Sequence, residues 1–200
     1  MNKILRTLIL SDLFILSSFG LINPILAIFL LKEISGATVS SIGIAVTVQL
    51  FVRALLQIVI GKWADCEKGN CRELYALFIG SIIISLIPLG LAISTTMTHI
   101  YIGQIIFGIG GALTYPSWRV IFTRYMDSNR AGYEWGVYDT IVSLGVACAA
   151  ALGGFIAERY SFRYLFVIVS IMSFLGTSFL VYIFQQEFSC KVSFKKVKKV

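Results

Sequence analysis

Gln49, Arg53, Gln57, Gly61 and Asp65 recur at four-residue intervals through a stretch that is otherwise apolar. On a helix that spacing puts all five on one face, so the chemistry they offer is that of a polar stripe: ion pairing, hydrogen bonding and solute contact. Two carboxylates complement the arginine. Asp12 and Asp139 interrupt other apolar stretches at depths an arginine side chain can reach, and the expected arrangement pairs Arg53 with one of them; the alternative lets all three snorkel to the surface. Bond-breaking chemistry finds less support. The single histidine, His99, stands at the end of an apolar run, no Gly-x-Ser-x-Gly is present, and the acids are too scattered for a metal cluster. No nucleotide-binding loop occurs either, so neither a catalytic residue, a cofactor, a metal nor direct ATP hydrolysis is expected.

The elements that must carry these residues follow from composition. Of 200 residues 58% are apolar, seventeen are basic and ten acidic, with a mean hydropathy of +0.86. Soluble domains hold about 45–50% apolar residues. Six apolar runs emerge at 8–31, 40–60, 74–93, 100–118, 135–157 and 164–184, each of 19 to 24 residues. At about 1.5 Å per residue each is close to or beyond a hydrocarbon core of about 30 Å. Membrane strands need only about ten residues and alternate with period two, which these runs do not. The expected fold is all-α and polytopic: a six-helix transmembrane domain over 1–186, then a basic cytoplasmic tail, or the start of a linker, at 187–200. The first run is too long for a signal peptide and lacks a small-residue cleavage site, so it reads as a retained helix. Cys66, Cys71, Cys148 and Cys190 read as free thiols, with no neighbouring histidine to complete a metal site.

Thirteen of the seventeen basic residues fall at one set of helix ends and three at the other, with Arg53 inside a span. Short basic loops tend to stay cytoplasmic, which places both termini inside, in the plasma or inner membrane of the cell. The +7 net charge follows from this topology and is not read as a nucleic-acid footprint. The lipid bilayer is the partner the composition implies.

The runs repeat in groups of three. Gly61-Lys-Trp-Ala64-Asp65 ends the second run and Gly154-Phe-Ile-Ala157-Glu158 the fifth, 93 residues apart; Pro24 and Pro116 stand 92 apart in the first and fourth. Three is odd, so the second group must lie upside down, and two inverted three-helix repeats are expected. Gly145, Ala149 and Gly153, with Gly154 beside them, form a stripe of small residues that lets another helix approach closely. Its partner, internal or another chain, is left open.

The link after the second span, Gly61-Lys-Trp-Ala-Asp65-Cys-Glu-Lys68-Gly69-Asn-Cys-Arg72, resembles the signature of the major facilitator superfamily, Gly-x-Leu-Ala-Asp-Arg-x-Gly-Arg-Arg/Lys, with Gly69 and Arg72 in register after a one-residue insertion. Physically, Gly61 permits close helix approach and Asp65 can cap a helix end. Gln104-Ile-Ile-Phe-Gly108-Ile-Gly110-Gly111-Ala112 is similar to the superfamily's Arg-x-x-Gln-Gly-x-Gly-Ala-Ala, with Gln104 where an arginine associated with proton coupling would stand. Gly145 through Gly154 resembles an antiporter motif but has Ala149-Ala150 in place of its Gly-Pro, and Arg163-Tyr-Leu-Phe166 resembles the usual opening of the sixth helix. The resemblance covers the amino-terminal half of a twelve-helix member. It implies that Gly61, Asp65, Lys68, Gly69 and Arg72 act in gating, and that the first and fourth helices line a central cavity through Asn23, Gln104 and Tyr115, joined by Gln49 and Gln57 of the polar stripe. The expected function is therefore secondary transport of a small solute, a drug or a sugar or other metabolite, by alternating access. A homodimer or a second six-helix half would complete it; a non-transporting scaffold or a truncated fragment is the alternative.

Overall fold

Asn2 opens the first helix by accepting the Ile4 N–H on its side chain at 3.2 Å, and the chain then runs as helices throughout. The computed structural model describes residues 2–65 and 71–197. Its elements are α1 (Lys3–Ile22), α2 (Leu26–Glu33), α3 (Val39–Asp65), α4 (Cys71–Ile93), α5 (Met97–Tyr125), a 3-10 turn at Ser128–Arg130, α6 (Ala131–Arg159) and α7 (Phe162–Val197). Six of these helices are long and apolar enough to cross a membrane, as the six apolar runs predict.

The first span differs from the single rod expected over 8–31. Pro24 has no N–H to donate, so α1 stops at Ile22, the Ile25 N–H turns back to the Ile22 carbonyl at 3.1 Å, and α2 resumes at Leu26. Beyond α2, Gly36 takes a positive φ of 76° that a side chain would strain, and Thr38 and Ser41 cap each other's backbone at 2.8 and 3.1 Å to launch α3. At the other end, α7 runs from Phe162 to Val197.

Each three-helix unit lends its helices to the other. The closest pairs are α6 on α1, α1 on α7, α7 on α4, α4 on α5 and α5 on α3. Exchanging α1 with α5, α3 with α6 and α4 with α7 reproduces the same set of pairs, which is the expected two-fold relation between inverted repeats. The crossings obey it too. A β-carbon on Gly108 of α5 would stand 2.7 Å from the Gln49 carbonyl of α3, and one on Gly20 of α1 would stand 3.1 Å from the Val146 carbonyl of α6. Likewise Gly80 of α4 meets the Gly110 carbonyl of α5 and Gly176 of α7 meets the Ser11 carbonyl of α1, both at 2.8 Å. In lipid, where apolar surface gains nothing by leaving the solvent, such close approaches are what hold helices together. The α4–α7 contact maps onto itself. There the Ser85 and Ser173 hydroxyls lie 2.7 Å apart and the Ser170 hydroxyl donates to the Ser85 carbonyl at 2.6 Å.

α3 and α6 are left at the two ends of this row. Only 6% of the α3 span and 17% of the α6 span is buried, against 44–56% for the other four. The small-residue stripe is one part of α6 that is covered. Added methyl groups at Gly145 and Gly153 would overlap Leu13 and the Leu21 carbonyl of α1, and Ala149 lies against Gly20, so the stripe's partner is internal. A β-carbon on Gly154, or on its repeat counterpart Gly61, would meet nothing within 4 Å, so neither makes a close helix contact among the described residues.

Candidate functional site

The charges that line the trough between these helices lie in the half of the bundle nearer the basic ends. Asp12 is nine residues into the span from Lys3 and Asp139 eight from Ala131; Arg119 lies six residues and Arg53 twelve from the basic ends of their helices. At about 1.5 Å per residue these four charges sit about 9–18 Å inside. Two cavities receive them. One, of about 370 Å³, is bounded by α1, α4, α5, α6 and α7 and is lined by Asp12, Asn23, Ser81, Trp118, Tyr138 and Asp139 among others. The second, of about 550 Å³, lies between α3 and α5 and is lined by Arg53, Gln57, Gly61, Glu73 and Ser117. Tyr115 and Arg119 border both, so they form the partition of one divided trough.

Opposite charges line the trough without neutralising each other. The Tyr138 hydroxyl donates to Asp12 at 2.5 Å, which orients the carboxylate but leaves its charge in place. The Arg53 guanidinium stacks 4.7 Å above the Tyr115 ring, and its stem packs where a β-carbon on Gly111 would come within 3.1 Å. The expected pairing of Arg53 with Asp12 or Asp139 is therefore not formed: an aromatic face one helix away satisfies the guanidinium, and Tyr138 has taken Asp12. Arg119 and Asp139 are exposed to the trough with no ion pair between them. Unpaired charge at this depth is expensive, and it marks solute and ion pathways when it occurs. Polar atoms repeat the pattern. Ser81 Oγ, Trp118 Nε1 and Ser117 Oγ are buried at the cavity walls with no hydrogen-bond partner among the described residues.

Glu73, by contrast, is fully engaged. It is 3% exposed and receives both guanidinium nitrogens of Arg124 at 2.8 and 3.1 Å, a forked pair that ties α4 to α5 at the basic end. An aromatic cluster lines the first cavity between α5 and α6. The rings of Trp118 and Phe122 on α5 meet those of Trp135 and Tyr138 on α6 with centroids 4.4–6.1 Å apart.

Of the residues singled out in the sequence, Asp12, Asn23, Tyr115 and Asp139 line the first cavity, and Arg53, Gln57, Gly61 and Tyr115 the second. Gln49 and Gln104 line neither. Gln49 gives its carbonyl to the Gly108 crossing, and Gln104 is 6% exposed with its Oε1 unpartnered between helices. Arg72 donates to the Trp63 carbonyl at 3.2 Å and lies 5.4 Å over that ring. Lys68 and Gly69 lie outside the described residues, as does the side chain of Asp65. Sequence reasoning missed Glu73, Arg119, Arg124, Trp118, Trp135 and Tyr138. The signal for the aromatic cluster was present in the i, i+4 and i, i+3 spacings of Trp118–Phe122 and Trp135–Tyr138, which align rings on one helix face.

Comparison with known proteins agrees with this geometry. The sequence profile described as Major Facilitator Superfamily matches residues 8–199. An uncharacterized MFS-type transporter of Methanocaldococcus jannaschii is 28% identical over 69% of this chain and 36% of its own length. YitZ, an uncharacterized MFS-type transporter of Bacillus subtilis, is 27% identical over 62% of this chain and 73% of its own. The quinolone resistance protein NorA of Staphylococcus aureus is 23% identical over 79% of this chain and 39% of its own. Among solved structures, the POT family transporter PepTSo superposes with a TM-score of 0.73 at 16% identity, covering 94% of this chain and 38% of that one. A POT peptide transporter in complex with alafosfalin gives 0.72 at 20% identity, covering 92% and 38%. The chain thus spans little more than a third of several proteins it matches.

Proposed function

We propose, for a chain that belongs to the Major Facilitator Superfamily, that the divided trough is the solute route of a secondary transporter working by alternating access. What carries this reading is the set of unpaired opposite charges, Asp12, Asp139, Arg53 and Arg119, held inside an apolar bundle built from two inverted units. A bundle built from inverted repeats presents equivalent arrangements to the two membrane faces, and a site between two such bundles can face either side in turn. Arg53, stacked on Tyr115 across the α3–α5 crossing, and Asp12, held by Tyr138 across α1 and α6, join helices that such a motion displaces. The solute is a small organic molecule. Quinolone resistance in the name of the staphylococcal relative supports a drug, and a sugar or other metabolite is the alternative.

The open faces of α3 and α6 are where a second six-helix half would pack, whether a second copy of this chain or a separate half; the short span of this chain against two of its relatives supports that assignment. The same reading puts the basic ends, and with them both termini, on the cytoplasmic side of the cell membrane.

The test uses cysteine labelling. With Cys66, Cys71, Cys148 and Cys190 replaced by alanine, Thr114→Cys places one thiol in the first cavity, and added terminal cysteines report sidedness. A membrane-impermeant maleimide is expected to reach both termini from the cytoplasmic face only and position 114 from either face. Reaction at 114 from one face alone, or termini on opposite faces, overturns the reading.

A further inference from the structure

We infer that the first cavity takes a zwitterionic solute, its protonated amine against Asp12 and Asp139 and its acidic or carbonyl end toward Arg119 and the Trp118 indole N–H. The inference rests on the transport reading of the same trough and names its substrate class.

Three observations carry it. First, the lining holds charges of both signs that do not pair. Asp12 keeps an oxygen beyond the one that accepts from Tyr138, and both Asp139 and Arg119 face the cavity without a salt bridge. A simple cation would leave Arg119 uncompensated, a simple anion would leave two carboxylates, and a neutral sugar would leave all three. Only a solute that is itself dipolar sets an opposite charge against both the carboxylate side and the guanidinium side of the lining. Second, the indole nitrogen of Trp118 is a donor with no other capacity, is 8% exposed, and has no protein acceptor. It therefore calls for an acceptor on the solute, which an organic cation alone does not bring. Ser81, 1% exposed and likewise unpartnered, adds a hydroxyl on the α4 wall. Third, the space is about 370 Å³, near the lower bound for small-molecule sites, and its walls include Phe19 stacked on Phe107 at 5.3 Å. A compact molecule with an apolar or aromatic body between its two charged ends matches that shape.

The test compares three probes that share a phenyl body: phenylalanine (both charges), 2-phenylethylamine (positive only) and 3-phenylpropionate (negative only). Binding to the purified full chain in nanodiscs is read from the fluorescence of Trp118 and Trp135, which border the cavity. Phenylalanine is expected to bind at least about tenfold more tightly than either single-charge probe, the size of one charge-assisted hydrogen bond. Asp139→Asn should weaken phenylalanine and phenylethylamine, and Arg119→Gln phenylalanine and phenylpropionate, each by about tenfold. Both positions are exposed, so folding is not at stake. Equal binding of the three, a preference for either single-charge probe, or no binding overturns the inference. If position 114 is reached from both faces while the probes do not discriminate, transport stands and this substrate class falls. Discrimination with one-sided access gives the converse.

Discussion

A valine at Gly153 is expected to leave the chain unable to assemble its bundle, while a valine at the neighbouring Gly154 leaves it intact. A β-carbon on Gly153 overlaps the Leu21 carbonyl and Cα of α1, whereas one on Gly154 meets nothing within 4 Å. Overpacking costs about 1–3 kcal/mol where side chains can shift aside. Here the obstacle is the backbone of the helix that also packs α7, so the expected cost exceeds about 3 kcal/mol, a large part of the 5–15 kcal/mol that typically separates folded from unfolded. Gly108→Val, at the counterpart crossing beneath the Gln49 carbonyl, should behave the same way. The measurement is the yield of monodisperse protein in detergent and its melting temperature. Equal damage at 153 and 154 would mean that α6 is rotated from the orientation described, and the repeat-related crossings would go with it.

Phe122→Ala should be the most damaging truncation at the basic end. Phe122 is fully buried, with the rings of Trp118, Tyr138 and Trp135 at 4.8, 5.4 and 4.4 Å. α5 and α6 meet here through these side chains rather than through close backbone packing. Removing the central ring leaves a void that the helices cannot close, at a cost of about 3–5 kcal/mol. It also loosens two of the chain's three tryptophans. The expected result is a lower melting temperature together with red-shifted emission as Trp118 and Trp135 meet water or headgroups. A loss below about 1 kcal/mol with unchanged emission would show that these rings point into lipid instead of at one another.

Length and polarity carry most of the fold. Six uncharged runs, and the count of basic residues at their ends, need no knowledge of which side of a helix faces which neighbour. Pro24 and Pro116, and Gly61 and Gly154, also betrayed the repeat, although Gly61 proves to border the second cavity and Gly154 open space rather than a helix contact. What the sequence hid is rotation. In water an amphipathic stripe shows which face of a helix is inward, but in lipid both faces are apolar and that contrast is lost. So Gly153 and Gly154 look alike on paper and differ completely in place. The pairing of Asp12 with Tyr138 across 126 residues, in preference to Arg53, depends on the same rotation. Glu73 and Arg124 were hidden for another reason: both sit near helix ends, where a charge normally means only a solvated surface.

The account, with the solute class assigned to it, depends most on a dipolar solute crossing the bilayer through this chain. Purified protein reconstituted into liposomes preloaded with unlabelled phenylalanine, then diluted into a trace of labelled phenylalanine, should show a transient inward overshoot of label. That counterflow should fall to the level of empty liposomes with Asp12→Asn. Label that equilibrates no faster than in protein-free vesicles, from a preparation that is folded and monodisperse, would contradict it.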